Sequence, residues 1–563
     1  MQHTDTLDIS NLHVLEKEFE ILLHTKISSS TNLESWLKQQ SQLMNEIDEQ
    51  LRLHYIAFQC NTDDLETKAA LDFDQKHVQP LVKRYQSLLD KKYFDSPFRL
   101  QLDSNYYGLL NKKITNSMAL FHEKNIDLEV EEDELITRYY EITGNLTVMW
   151  EGSEKTITEL NVYLQDSNRN VRQNVKTLIS EKMLSVEMEL QDILNKLIAI
   201  RHKKAKNVGL PNYRDYMFQK YERFDYSAVD CNNLAESIRK FVVPLQEKFH
   251  REQQTDLQLD TLRPWDVKAI APNQKILKPI EKENELIEKS SLILHKLDPD
   301  FSSLLQRMHE KNYLDLESRK GKAHGGFCEY LPVSKLSFIF MNLTYTQDDV
   351  VVFLHEMGHS IHNECMKHFE LKQYQNVPME SAELASMTME LFTMEYWDVF
   401  YQNKADVKKA KKEQLQGTIM YLPIILIIDQ FQHWIYENPV HSAKERNEKF
   451  LELYGTYDSS IVNWEGYETW RATQWLSVLH IFEAPFYYIE YAIAQIGALQ
   501  MYKQYKENPE QALHNYKKAL ALGSSKSLKE VYEAAGIRFD FSSETIKEVV
   551  DFVEKELALL EKL

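Results

Sequence analysis

Apolar residues recur at three- and four-residue steps through most of this chain, the spacing that lays one stripe along an α-helix. LEKEFEILLHTKI (15–27) and LESWLKQQSQLMNEIDEQLRLHYIAF (33–58) show it, and the period carries the chain to about Asn195. One stretch breaks it. LTVMWEGSEKTITEL (146–160) alternates around Gly152-Ser153, the pattern of a short hairpin. From Lys196 the helical period returns through RHKKAKNVGLPNYRDYMFQKYERFDY, turning at Gly209 to Pro211, and its basic cluster (Arg201, Lys203, Lys204, Lys206) reads as a surface face. Gln253 to Pro272 reads as a connector, and helices resume to about Leu316. The compositional break is RKGKAHGGFCEYLPVSKLSFIFM (319–341), where Gly321, Gly325 and Gly326 predict a mobile loop and Leu336 to Met341 a strand. From Asn342 helices dominate again. The pattern predicts a mainly α protein, with a helical cap or wall over residues 1–195 and a chemistry-bearing domain over 196–563.

Composition narrows the function. The 563 residues carry 66 Lys+Arg against 86 Asp+Glu, a net charge of −20, spread along the chain as solvated helix faces. Nucleic acids and anionic membranes select basic surfaces, so neither is the expected partner. The longest apolar run, Met420 to Ile428, is too short for the ~20 residues a bilayer requires. MQHTDTLDIS lacks the basic and apolar regions of a secretory signal, and the four scattered cysteines form no CxxC pair. A cytoplasmic protein with reduced, mostly buried thiols is expected.

Chemistry concentrates in VVFLHEMGHSIHNE (351–364). Two histidines four apart, His355 and His359, share one helix face a turn apart and can hold one ion from the same side. Glu356 can then reach a water on that ion as general base, the logic of an HExxH zinc hydrolase. Thr346 with Asp349 reads as a capping box, and Gly358 predicts close approach by another backbone or a ligand. HExxH alone also arises by chance, as two core histidines and a solvated glutamate.

Catalytic zinc usually takes three protein ligands and one water. His362 stands about 10 Å along the axis from His355, so the three histidines of one straight helix cannot grip one ion. Cys365 is about 240° around from His359 and is no ligand beside the pair. The third ligand is therefore expected from the next helix, NVPMESAELASMTMELF (376–392). Glu380 has an adequate role in its first turn, where the helix dipole favours a carboxylate. Glu383 lies on a mostly apolar stripe, needs a partner, and is the preferred ligand. Glu390 reads either as a group orienting a ligand histidine or as a buried ion-pair partner.

Taken together, HEMGHSIH (355–362) and ELASMTME (383–390) resemble the metal helix and third-ligand helix of the thimet oligopeptidase and oligoendopeptidase F family of zinc peptidases. RKGKAHGGFC, WRATQWLSVLHIFEAPFYYIEYAIAQIGALQ, YEAAGIRFD, NVGLPNYRDYMF and LTVMWEGSEKTITEL extend the resemblance over most of the chain, closest to bacterial oligoendopeptidases of the Pz-peptidase type. The resemblance implies a mainly α, two-lobed metallopeptidase with a deep substrate channel and a small β-sheet beside the HExxH helix. It implies one Zn2+ per chain on His355, His359 and Glu383, and short peptides as substrates. His480, Tyr487, Tyr488 and Tyr491 are the implied assistants of the reaction. Tyr487 and Tyr491 would share a face if helical, whereas Tyr488 would point elsewhere. The mammalian relatives' additional tyrosine falls here at Ala484 and Pro485, which leaves open which phenol does which job. The bland alternative for FYYIEY is aromatic core packing.

The expected reaction is hydrolysis of an internal peptide bond, with Glu356 as base and zinc, a tyrosine or His480 stabilising the oxyanion. The strand at Ser337 to Met341 and the Gly325-Gly326 loop are expected to hold the peptide backbone. The rivals are a helical zinc carboxypeptidase or dipeptidyl carboxypeptidase, and a non-catalytic peptide-binding scaffold.

Overall fold

A computed structural model describes residues 7–271 and 274–562. Helices dominate, and the β-structure among the described residues is a two-stranded and a three-stranded sheet. Following the chain, a long helix α1 (Ser30–Cys60) comes early, opened by Ser29 accepting from the Asn32 N–H. A hairpin follows, strands β1 (Thr147–Trp150) and β2 (Ser153–Thr156). Then come helices α2 (Glu187–Asn207) and α3 (Ala228–Asp256), and strands β3 (Leu314–Asp315), β4 (Phe327–Leu331) and β5 (Leu336–Phe340). The later chain supplies helices α4 (Gln347–Met366), α5 (Met379–Thr393), α6 (Leu422–Glu437) and α7 (Tyr488–Glu507).

Two compact units emerge, each from three separated stretches. One gathers Met1–Ala119, Leu277–Ala410 and Ala494–Phe539; the other gathers Leu120–Ile276, Lys411–Ile493 and Asp540–Leu563.

In the first unit the three-stranded sheet runs in the order β3-β5-β4, β3 parallel and β4 antiparallel to β5. Every residue of β5 is buried, which suits the run LSFIF. Because β5 is central, it is not the strand on which a peptide can add; the outer strands are β3, only two residues long, and β4, which offers the longer edge. The glycine-rich loop before β4 is not left loose either. Buried Lys322 donates to the Asp315 carboxylate at 2.9 Å and to the Glu317 and Met341 carbonyls, while Asn342 donates to the Ala323 and Gly325 carbonyls. A packed ammonium thus replaces the mobility that glycine content suggests.

In the second unit the hairpin forms where alternation places it. Its turn falls one residue early, on Glu151 and Gly152, both at positive φ (50° and 80°), as a tight turn with two left-handed central residues requires. The basic cluster of α2 differs from expectation. Arg201 and Lys204 are buried at 0% and 1% exposure, joined to Glu132 at 2.6 and 2.7 Å. Apolar residues on both sides of their helical positions carry them inward, and only full pairing makes such burial tolerable. Arg201 also donates to Tyr436 Oη at 2.7 Å, to the Ile481 carbonyl at 3.1 Å and to the Phe482 carbonyl.

Candidate active site

Helix α4 starts on the capping box read from the sequence: the Thr346 N–H donates to Asp349 Oδ2 at 2.9 Å, and Asp348 and Asp349 occupy the first turn. Two turns on, the rings of His355 and His359 lie 4.9 Å apart at 84°. Helix α5 packs across this face at Gly358. A methyl group there would meet Ser386 Cα at 2.5 Å and the Ala385 carbonyl at 2.9 Å, so glycine is what admits the second backbone.

That contact delivers Glu383. One donor atom each from His355, His359 and Glu383 lies within 4.8 Å of the other two. Glu380 is buried elsewhere, close enough to the Tyr532 phenol to help raise its pKa. His362 and Cys365 are also outside the triad, His362 being fully buried with its Nε2 unpartnered. The arrangement therefore gathers the two imidazoles and the carboxylate favoured by the sequence.

Hydrogen bonding orients these donors. His355 Nδ1 lies 2.6 Å from Glu390 Oε1, which places a ring proton on Nδ1 and turns Nε2 towards the triad. Burial opposes the charged ring, but the Glu390, Glu383 and Glu356 carboxylates raise its pKa to about 9, so Nε2 would give up its proton to a bound ion. His355 Nε2 and Glu383 Oε2 approach to 3.4 Å without a hydrogen bond, the spacing of two ligands around a common ion. Ser386 Oγ donates to Glu383 Oε2 at 3.1 Å and fixes the carboxylate from its own helix.

Electrostatics point the same way. Burial, with the carboxylates of Glu383 and Glu390, pushes Glu356 up to about 7, although His355 opposes this. Burial raises Glu383 as well. Burial, helped by the His355 and His362 charges, holds His359 well below its usual range, so it presents a neutral imidazole. Three glutamates facing two imidazoles suit a divalent cation, and an N2O donor set with the histidine Nδ1 braced by a carboxylate suits zinc.

His480, Tyr487, Tyr488 and Tyr491 form a ring cluster in the second unit. His480 lies 5.2, 4.9 and 6.2 Å from the three tyrosine rings in that order. Tyr488 therefore does not point elsewhere. Helix α7 begins at Tyr488, so Tyr487 precedes it, yet the Tyr491 ring packs against both, 5.2 Å from Tyr487 and 5.8 Å from Tyr488. The turn before them is held by residues that sequence reading missed. Phe486 adopts φ 69°, its N–H donates to Gln432 Oε1 at 2.8 Å, and its carbonyl accepts from Arg223, which pairs with Glu490 at 2.8 Å. Arg201, on the carbonyls just after His480, does the same for the preceding segment. Burial lowers the His480 pKa, favouring its neutral form.

A helix-borne HExxH pair with a glutamate brought beside it by the next helix is the kind of donor set a zinc metallopeptidase uses. Residues 162–551 match the family model of Peptidase family M3 and residues 6–121 that of the Peptidase M3 N-terminal domain, and the chain belongs to the M3 peptidase family. An oligoendopeptidase F homolog of Lactococcus lactis subsp. lactis is 22% identical over 99% of this chain and 97% of its own length. A homolog of the same name from Borreliella burgdorferi is 24% identical, covering 83% and 80%. Among solved structures, Pz peptidase A with inhibitor 2 superposes with a TM-score of 0.91 at 26% identity, covering 99% of each chain. A putative oligoendopeptidase F from Bacillus anthracis gives 0.86 at 25%, covering 99% of this chain and 98% of that one. The protein is thus a metallopeptidase acting on peptides, and no helix among the described residues is long and apolar enough to cross a membrane.

Proposed function

We propose that the chain is a zinc-dependent oligoendopeptidase that cuts internal bonds of short, unstructured peptides in the cytoplasm. The observation that carries this is the convergence of His355, His359 and Glu383 donors within 4.8 Å, with Glu356 on the same helix. His355, His359 and Glu383 hold the ion. Zinc bound there supplies a Lewis acid and brings the pKa of a coordinated water towards about 7. Glu356, itself raised to about 7, takes a proton from the attacking water onto a carboxylate oxygen and returns it to the leaving amine. Glu390 holds His355 in the tautomer that offers Nε2. The unpaired edge of β4 offers backbone donors and acceptors to an extended peptide, which would explain weak sequence preference.

His480, Tyr487, Tyr488 and Tyr491 are assigned the donation of hydrogen bonds to the developing oxyanion. The family resemblance and their mutual packing support this. Cysteines without disulfides and the soluble-enzyme composition support the compartment. The test is Glu356→Gln assayed on an internally quenched peptide with both termini blocked. Wild type should cleave it; the variant should keep zinc and fold but lose turnover by several orders of magnitude. Undiminished turnover would remove Glu356 as base, and wild-type failure on blocked peptides alone would mark an exopeptidase.

A further inference from the structure

We infer that the second unit holds a structural zinc ion on Cys231, Asp429 and His433. These residues offer a thiol, a carboxylate and an imidazole whose donor atoms all lie within 4.8 Å of one another. The construction parallels the α4–α5 triad. Asp429 and His433 stand four apart on α6 and so share a face, and Cys231 comes from the first turn of α3, packed against it. All three are buried, at 1%, 0% and 5% exposure for Cys231, Asp429 and His433.

What points to a ligand is the unmet demand of the α6 pair. His433 Nε2 and Asp429 Oδ2 approach to 3.2 Å, within ion-pair distance if the ring is protonated but without hydrogen-bond geometry, and both Nε2 and Asp429 Oδ1 are buried without a hydrogen-bond partner. The hydrogen bond to Asp429 is a single one from Gln430 Nε2 at the long distance of 3.5 Å. A wholly buried carboxylate so weakly solvated costs several kcal/mol unless a cation compensates it. Thiolate, carboxylate and neutral imidazole together balance a divalent charge, and the second Asp429 oxygen completes a four-donor set. Thiolate with imidazole selects zinc over magnesium or calcium. Binding releases the Cys231 proton to solvent and forms a bond from sulfur to the ion.

The site also has a mechanical consequence. The His433 ring packs on Phe218 and Phe486 at 6.1 and 5.4 Å, and its neighbour Gln432 accepts from the Phe486 N–H. Pinning α3 to α6 therefore braces the left-handed turn immediately before the tyrosine cluster.

The inference does not depend on the α4–α5 site being catalytic. Full-length wild type should hold about two zinc ions per chain by elemental analysis, and Cys231→Ala and Glu383→Ala should each remove one. Loaded with Co2+ alone, Glu383→Ala should show the near-ultraviolet absorption of a thiolate-bound cobalt. Cys231→Ser or Asp429→Asn in that background should abolish it. Should the Cys231 variants not fold, the Glu383→Ala chain still decides, because it keeps all three donors. Absence of metal and of the thiolate band in that chain overturns the assignment, as does a band that survives Cys231→Ser.

Discussion

His355 has two ring nitrogens and each has a separate task. Nδ1 is engaged by Glu390 at 2.6 Å, so Nε2 faces Glu383. Glu390 is thus a positioning group, and its removal acts through the ring. Glu390→Ala is expected to weaken zinc binding about 10–100-fold, with Glu390→Gln, which still accepts a hydrogen bond, nearer the lower figure. Competition against a chromophoric chelator measures both, and unchanged affinity in the alanine variant would show that packing alone orients His355. The grouping of His355, His359 and Glu383 was legible in sequence because helical spacing fixes His355 against His359, and a carboxylate set among apolar Leu384, Met387 and Leu391 marks Glu383. Arg201 and Arg223 were not legible. Their acceptors at Ile481 and Phe486 lie 280 and 263 positions away, and no local pattern encodes such a partner.

Between elements, the decisive contact is the crossing of α4 and α5 at Gly358. Alanine is the better helix former by about 1 kcal/mol, so propensity alone favours Gly358→Ala. A Cβ 2.5 Å from Ser386 Cα cannot be relieved by rotating a side chain, and the helices must part. Overpacking of this kind costs about 1–3 kcal/mol, which outweighs the gain, and it draws Glu383 from the imidazoles. Gly358→Ala should therefore lower both the denaturation midpoint and zinc affinity. Gly108, in the helix Ser104–Leu120 with open space around it, is the control, and Gly108→Ala should stabilise by up to about 1 kcal/mol. Equal effects at the two glycines would refute the close-approach argument. Elements themselves were readable where one local period dominated, as in α1, α4 and the hairpin. The rank of β5 within its sheet was not, because a buried run reads alike in a central and an edge strand, and only β3, a two-residue strand, makes it central.

At the scale of the whole chain, the acid limb of stability should be set by carboxylates held ionised by neighbouring cations, one in each compact unit. Burial alone would raise Glu132, but the Arg201 and Lys204 cations outweigh it and hold its pKa at about 2. Asp315 is likewise held at about 2, burial again being outweighed, here by Arg319, Cys60 and Lys322. Both folded values lie below the ordinary values of 4.5 and 3.8, so the folded state binds these protons less readily than the unfolded one. The stabilisation is accordingly complete above about pH 5 and is lost as pH falls towards 2. For buried Glu132 the shift corresponds to roughly 3 kcal/mol. Glu132→Gln will destabilise at neutral pH in any case, because it strands two buried cations, so the absolute loss does not test the linkage. The informative quantity is the gap between wild type and variant in denaturant unfolding followed against pH. It should be constant above about pH 5 and shrink by roughly 3 kcal/mol towards pH 2, since only wild type has this proton to gain. A gap that stays constant through that window would mean that Glu132 meets equivalent cations in the unfolded chain, and that the buried pair contributes nothing to acid sensitivity.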